Sequence, residues 1–156
     1  VRIQAIGEID ELNALIGVIR IYAHHDELNK KLEWLQNALF VVGSDLACPN
    51  KEVKTIPRVS ASDITLMEEW IDAMTKKIKP LQNFVLPGGN VVAAYLHLAR
   101  AVCRRAERAA VILRKNEDIN ENLLSFINRL SDLLFTMARF SNHLNNVEEP
   151  IWKKTQ

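Results

Sequence analysis

The spacing of apolar residues is the feature that most restricts the fold of this chain. Across most of its length, apolar side chains recur every three or four residues, which is the period of one face of an α-helix. Ile9, Leu12, Ile16 and Ile19 are a clear example. Glycine and proline, which interrupt helices, number only five each among 156 residues, and the prolines fall between the periodic segments. Because strand-like alternation is almost absent, the pattern predicts an all-α fold.

The periodic segments predict five helices packed as one up-and-down bundle with short connections. Pro49 and Pro57 lie in the loop predicted between the second and third helices, and Ser60 or Ser62 is the expected N-cap of the third. The turn Pro87-Gly88-Gly89 precedes the fourth. The predicted helices span residues 7–24, 26–47, 60 or 62 to a point before 80, about 90 to 115, and 121–145.

Charge and hydrophobic content narrow the class of protein further. The formal net charge of +1 gives no strong field toward nucleic acid or membranes. A hydrophobic fraction of 48% suits a single domain over residues 1–156, and no apolar run approaches the roughly 20 residues of a membrane-spanning helix. Cys48 and Cys103 lie far apart and outside any Cys-x-x-Cys pair. We therefore expect two free thiols and a reducing compartment, the cytoplasm.

The fourth predicted helix carries the strongest functional signal. Arg100, Arg104, Glu107 and Arg108 follow one another at helical spacing and share one face, whereas Arg105 lies about 100° around the helix from Arg104. Three guanidinium groups on one face repel each other unless an anion lies between them. A polyphosphate is a suitable anion, because each guanidinium donates paired hydrogen bonds to phosphate oxygens. A solvated basic face, partly neutralised by acids of neighbouring helices, stays open as the alternative.

Other polar residues allow both a functional and a structural interpretation. On the fifth helix, Asn128 is suited to bind a base or ribose, and Asp132 to pair with an arginine of the fourth helix. An ordinary amphipathic helix with its polar side in water explains both equally well. Asp10 lies near the start of the first helix, where the helix dipole stabilises a carboxylate without any further function. It gains a function only if an arginine from elsewhere reaches it.

Motifs of several other protein classes are missing from the sequence. There is no Walker loop, no His-Glu-x-x-His and no paired Glu-x-x-His. We expect the histidines to be structural or surface residues, and the tryptophans to pack in the core or at an interface. These residues are His24, His25, His97 and His143, and Trp34, Trp70 and Trp152. The residues alone therefore predict a helical bundle with a possible site for an anion, and no reaction.

Four sequence blocks, taken in order and spacing, resemble the PduO-type cobalamin adenosyltransferases. The resemblance covers about residues 5 to 140, and its most specific block is Phe-Val-Leu-Pro-Gly-Gly followed by Ala-Arg-Ala-Val-Cys-Arg-Arg-Ala-Glu-Arg. The blocks lie within residues 7–17, 35–47, 84–108 and 128–139. The resemblance implies a five-helix bundle that assembles as a homotrimer with its active sites at the subunit interfaces.

The resemblance also implies a reaction and a nucleotide site. Cob(I)alamin attacks the 5′ carbon of ATP and expels triphosphate, and Mg²⁺ accompanies the nucleotide. From its position on the arginine face, Glu107 is expected either to orient the arginines or to bind this metal ion. The residues that match the family's ATP-binding positions are Arg104, Arg105, Glu107, Arg108 and Asn128. Arg104 is expected to have a catalytic role as well, because it stabilises the charge of the leaving triphosphate.

For the corrinoid, the resemblance implies a second set of residues. Asp10 and Arg100 form an ion pair across the subunit interface close to the corrinoid and count as catalytic. Phe84 packs beneath the corrin ring and displaces the lower axial ligand of cobalt, which makes its reduction easier. The expected partners are a reductase and an acceptor enzyme that depends on adenosylcobalamin. A eukaryotic homologue would lie in the mitochondrial matrix.

One family element has no match in this sequence. The family's glycine- and threonine-rich N-terminal loop, which wraps the ATP phosphates, would lie before Val1. Either it belongs to a segment upstream of Val1, or the protein lacks it. Two other functions stay open. One is a carrier or sensor of the same fold that binds a corrinoid or ATP without turnover. The other is a helical interaction module whose basic face binds an acidic partner or RNA.

Overall fold

The fold is a bundle of helices, as the apolar spacing predicts. The computed structural model describes residues 1–50 and 52–155, and within them it has five helices and a single β-bridge. Lys51, in the predicted loop after the second helix, and Gln156, at the end of the predicted domain, lie outside the described residues. The helices are α1 (Arg2–Tyr22), α2 (Asp26–Ala47), α3 (Ala61–Thr75), α4 (Val91–Asn116) and α5 (Asn122–Leu144).

The predicted boundaries hold for four helices and are wrong for the first. The segment α2 has the predicted bounds, while α4 and α5 differ by about one residue at each end. By contrast α1 begins at Arg2, not at Gly7, and ends at Tyr22, not at His24. The cause is that buried Ala5 continues the apolar stripe of Ile9 toward the N-terminus. Gly7 lies on the exposed side and lowers helix stability by only about 1 kcal/mol.

The helices α3 and α4 both begin at a side-chain N-cap, and of the two serines predicted to cap α3 it is Ser60. The backbone N–H of Ser60 donates to Oδ2 of Asp63 at 2.8 Å, and the Ser60 hydroxyl donates to the same oxygen at 2.7 Å. At the start of α4, Oδ1 of Asn90 accepts from the backbone N–H of Ala93 at 2.9 Å. These contacts explain why α3 and α4 begin where they do.

The helices alternate in direction, but their order in space differs from their order in the chain. α1 packs between α2 and α4, and α5 packs between α4 and α3. The predicted short connections are therefore wrong for residues 48–60 and 76–90, because α3 packs mainly on α5. The shared core includes fully buried Leu12, Leu35 and Leu96. None of the described helices combines the length and hydropathy needed to cross a bilayer.

A buried carboxylate ties three parts of the chain together at one end of the bundle. Asp45 of α2 is 2% exposed and accepts hydrogen bonds from both chain connections that lie beside it. Nη1 of Arg58 donates to Oδ1 at 2.7 Å, while the backbone N–H of Val59 and Nδ2 of Asn120 donate to Oδ2 at 3.1 and 2.7 Å. Asp45 thus fixes the entry to α3 and the turn before α5 against α2.

The turn before α4 is packed directly against α5. Gly89 has φ of +108°, and a Cβ there would lie 2.2 Å from Oδ1 of Asn142. The same oxygen accepts from the backbone N–H of Asn90 at 2.9 Å, and Nδ2 of Asn142 donates to the carbonyl of Gly88 at 3.1 Å. The turn therefore requires glycine at position 89 for both space and backbone conformation.

We expect Gly89→Ala to lower the free energy of unfolding by about 1–3 kcal/mol, because the added methyl displaces Asn142 and strains the turn. Urea denaturation followed by circular dichroism measures the change. Gly43→Ala is the matched control: its Cβ meets no atom within 4 Å, and it lies inside α2. That control should gain about 1 kcal/mol from helix propensity. Wild-type stability of Gly89→Ala would contradict the packing of this turn.

Candidate active site

The polar faces of α4 and α5 meet in one groove, which we call the α4–α5 groove. The two helices run antiparallel, so the C-terminal half of α4 lies beside the N-terminal half of α5. There Nδ2 of Asn128 donates to Oε1 of Glu107 at 2.8 Å. This contact brings together two of the residues that the sequence predicts to bind ATP. It also aligns the carboxylate of Glu107 beside the arginines of α4.

Three arginines of this groove lack an anionic partner within residues 1–50 and 52–155. Arg104 and Arg108 are exposed and make no ion pair with a described residue. Arg100 is half-buried, and its Nε is buried without a hydrogen-bond partner. We call the groove around Arg104, Arg108, Glu107 and Asn128 its basic end. Unpaired guanidinium groups so close together are suited to bind a polyphosphate.

Arg105 points away from the groove toward α1, as its angular position suggests. Its guanidinium hydrogen-bonds Glu11 and Glu8, and these contacts raise the pKa of Arg105. The three residues join α1 to α4 on the side that faces away from Asn128. ATP binding by Arg105 stays a prediction, whereas its contact with α1 is a feature of the folded chain.

The predicted partner of Asp132 is wrong. Its Oδ2 accepts from Nη1 of Arg129 at 2.9 Å, one turn earlier on the same helix, and not from an arginine of α4. Nε of Arg129 in turn donates to Glu68 of α3 at 3.0 Å. Helical spacing predicts the face of Asp132 correctly, but it does not reveal that Arg129 competes for the same carboxylate.

Asp10 lies on the exposed side of α1. It makes no ion pair with a described residue, so the predicted contact with Arg100 does not form within one copy of the chain. Several large apolar side chains are also exposed on α1 and α4. On α1 they are Ile3, Val18 and Ile21, and on α4 they are Val91, Leu98 and Ile112. We call the exposed sides of α1 and α4 that carry these residues the α1–α4 outer face.

Farther along the groove from its basic end lie aromatic residues. The imidazole of His97 packs edge-on against Phe135, with ring centroids 5.9 Å apart. His97 is 3% exposed, and neither ring nitrogen has a partner among the described residues. Burial lowers the pKa of His97, and nearby Arg100 lowers it further against the opposing charge of Glu149. Burial therefore favours the neutral imidazole. His97 lies seven residues before Arg104, or about 10 Å along the helix.

Phe84 lies on the irregular segment that leads into α4. Its side chain is 78% exposed, and its ring meets Trp152 edge-on with centroids 6.2 Å apart. Together with Leu81, Gln82 and Asn83, these two rings line a shallow recess of about 390 Å³. We call Phe84, Trp152 and this recess the aromatic end of the site. A basic end and an exposed aromatic end suit a phosphate-bearing ligand beside a large, flat and partly apolar one.

Comparison with known proteins identifies the family. The sequence profile described as cobalamin adenosyltransferase matches residues 1–141. The chain belongs to the cobalamin adenosyltransferase family. A cobalamin adenosyltransferase from Cupriavidus metallidurans is 37% identical over 154 residues, which cover 98% of this chain and 81% of the relative.

Solved structures of a PduO-type ATP:corrinoid adenosyltransferase from Lactobacillus reuteri have the same fold as this adenosyltransferase. A variant with a phenylalanine replaced by alanine, complexed with cobalamin and ATP, gives a TM-score of 0.92 at 38% identity over 98% of this chain and 86% of that one. A variant with an arginine replaced by lysine, complexed with ATP, gives a TM-score of 0.91 at 38% identity. The match covers 97% of this chain and 87% of that one. The resemblance stated from the four sequence blocks is confirmed.

Sequence reasoning missed the contact of Trp152 with Phe84. Trp152 was expected to pack in a core or interface, and it is half exposed and contacts Phe84. His97 is buried and packs against Phe135, in agreement with the structural role that the sequence suggested. For Trp152 no local pattern exists, because its partner lies far away in the chain. Trp34 and Trp70 do pack in the core, edge-on to each other.

Proposed function

We propose that ATP binds at the basic end of the α4–α5 groove, that the corrinoid binds at the aromatic end, and that the adenosyl group passes between them. The chain is an enzyme that transfers this group from ATP to a corrinoid. The observation that supports this placement is the set of unpaired arginines on α4. Arg104 and Arg108 are exposed and form no ion pair with an acidic side chain among the described residues. Arg100 lies between them and the aromatic residues.

The reaction requires positioning and charge stabilisation more than proton transfer. Co(I) supplies an electron pair to the 5′ carbon of ATP, so that a Co–C bond forms while the C–O bond to the triphosphate breaks. The leaving triphosphate keeps the electron pair of that bond and gains negative charge. Arg104 and Arg108 stabilise this charge, while Asn128 and Glu107 hold the nucleotide beside them.

A magnesium ion fits this arrangement at Glu107. Asn128 bonds only Oε1 of that carboxylate, so Oε2 has no hydrogen bond to a described residue. Mg²⁺ is usually held by one or two carboxylates together with substrate phosphates, and we assign Glu107 that part. Bound there, the ion would neutralise phosphate charge.

Spacing in the Lactobacillus reuteri enzyme supports the roles of Phe84 and Arg104. The phenylalanine and the arginine replaced in those solved variants lie 20 residues apart. In this chain Phe84 and Arg104 have the same separation, and no other phenylalanine precedes an arginine by that distance. We therefore assign Phe84 to the face of the corrin ring and Arg104 to ATP.

A homotrimer completes the site. The apolar α1–α4 outer face is suited to bury against a second copy, and there Asp10 would reach Arg100 of a neighbouring copy. This ion pair would supply the partner that both side chains lack in one chain. A reductase, an acceptor enzyme for adenosylcobalamin, and a location in the cytoplasm or the mitochondrial matrix stay predictions.

An anaerobic absorbance assay with ATP, Mg²⁺ and chemically reduced cobalamin tests the proposal, with light scattering to measure the assembly. We expect adenosylcobalamin and free triphosphate from a trimer, and at least tenfold less product from Asp10→Ala, whose interface pair is lost. Asp72→Ala, on exposed helix α3, is the control. Binding of both ligands without triphosphate release would instead identify a carrier or sensor.

A further inference from the structure

Phe84 depends for its position on a part of the chain that lies far from it in sequence. The segment before α4 has no regular structure of its own, and the Phe84 ring is largely exposed. Residues 147–152, which we call the C-terminal strap, run back across this segment after α5 ends. Val85 and Ile151 form an antiparallel β-bridge between them.

Two backbone hydrogen bonds flank that bridge. The N–H of Leu86 donates to the carbonyl of Pro150 at 2.8 Å, and the N–H of Trp152 donates to the carbonyl of Phe84 at 2.8 Å. The second bond places Trp152 directly beside Phe84, where the two rings meet at an interplanar angle of 77°. An exposed aromatic ring with one aromatic neighbour has its orientation restricted mainly by that neighbour.

The strap and the Phe84 segment are held by the same buried guanidinium. Arg139 of α5 is 8% exposed, and its Nε donates to Glu149 of the strap at 2.9 Å. Its Nη2 donates to the carbonyl of Lys79, at the start of the segment that carries Phe84, at 2.8 Å. Arg139 thus fixes both strands of the bridge to one rigid helix. The ion pair is largely buried, and its hydrogen bonds are of the strong charge-assisted kind.

We propose that the C-terminal strap, clamped by Arg139 and Glu149, positions Phe84 for the corrinoid, with Trp152 as the residue that sets the orientation of its ring. This inference rests on the proposed role of Phe84 beneath the corrin ring. The ring displaces the lower axial ligand of cobalt only if it is held at one height and one angle. The recess formed by Phe84, Trp152 and Leu81 is the surface against which that face of the corrinoid lies.

The decisive measurement is the fraction of bound Co(II) cobalamin that lacks a lower axial ligand, read by electron paramagnetic resonance in the presence of ATP. We expect Trp152→Ala to lower this fraction about three- to tenfold, the effect of losing one aromatic contact. Turnover number with Co(II) substrate and reduced flavin should fall in proportion, since one electron from flavin must convert Co(II) to Co(I). KM for ATP should keep its wild-type value, because the basic end is untouched.

Control variants separate this inference from the proposed function. Trp152→Phe keeps a ring and should recover most of the ligand-free fraction, whereas Lys153→Ala, next in the chain and exposed, should equal the wild type. Phe84→Ala should abolish the fraction of bound Co(II) cobalamin that lacks a lower axial ligand. Glu149→Gln weakens the clamp without touching Phe84 and should give an intermediate value. If circular dichroism shows that Trp152→Ala is unfolded, Glu149→Gln serves as the test variant in its place.

Two results would overturn the inference in different ways. If Trp152→Ala and Glu149→Gln both keep the wild-type fraction while Phe84→Ala loses it, the strap does not position Phe84 and the role of Phe84 stands. If Phe84→Ala itself keeps the fraction, the proposed role of Phe84 is wrong, and the inference about the strap fails with it.

Discussion

Arg104→Ala lowers kcat/KM for adenosylcobalamin formation by about 10²- to 10³-fold, which is the usual loss when one preorganised charge-stabilising group is removed. The reason is that Arg104 lies exposed in the groove without an anion of its own, so its whole hydrogen-bonding capacity is available to triphosphate. Chemically reduced cobalamin is the substrate for this test, because it removes the reduction step. Steady-state kinetics under anaerobic conditions measure the effect.

The matched control for this prediction lies on the same helix. Arg114 is also exposed, but it belongs to the last turn of α4, and Arg114→Ala should change kcat/KM by less than about twofold. Arg104→Lys keeps the positive charge and loses the planar guanidinium, so its kcat/KM should lie between those of Arg104→Ala and Arg114→Ala. Equal losses for Arg104→Ala and Arg114→Ala would mean that general positive charge, and not the groove, binds the nucleotide.

Asp45→Ala should have the largest effect on stability, lowering the free energy of unfolding by about 3–5 kcal/mol. The substitution leaves Arg58 without its buried partner and removes the acceptor of two further donors, Val59 and Asn120. Urea denaturation monitored by circular dichroism gives the value. Asp72→Ala, on the exposed side of α3, should stay within about 0.5 kcal/mol of wild type.

A smaller loss for Asp45→Ala, near that of Asp72→Ala, would mean that water replaces the carboxylate. Asp45→Asn refines the comparison, because it keeps one acceptor and the shape of the side chain while removing the charge. It should be less stable than wild type and more stable than Asp45→Ala.

Local periodicity predicted the helices and the faces of their residues well, since both depend on contacts within a few turns. The bounds of α2 and the shared face of Arg100, Arg104 and Arg108 are examples. Periodicity failed where a distant residue decides the outcome. Asp45 accepts a hydrogen bond from Asn120, and Trp152 contacts Phe84. The sequence around these residues contains no pattern that predicts either contact.

Competition between partners is the second limit of sequence reasoning. The carboxylate of Asp132 was expected to pair with an arginine of α4, but Arg129, three residues earlier on its own helix, binds it. For Asp10, the proposed partner Arg100 belongs to a neighbouring copy, so no contact within one chain tests that prediction. Spacing predicts where a side chain lies, but not which of several charged groups it contacts.

In the proposed site, the antiparallel hairpin of α4 and α5 carries the groups that bind ATP, and the segment before α4 carries Phe84 for the corrinoid. The residues 117–121 that join these helices are few, and Glu107 and Asn128 are bonded directly across the pair. His97 and the arginines lie on the same helix, so the distance between them is fixed by the helical rise once the protein has folded. Much of the entropy that would be lost in aligning two reactants is then lost when the protein folds, and not again in every catalytic cycle. A one-residue insertion within α4 would rotate every later side chain by about 100° and disrupt that alignment while leaving all of the site's residues present.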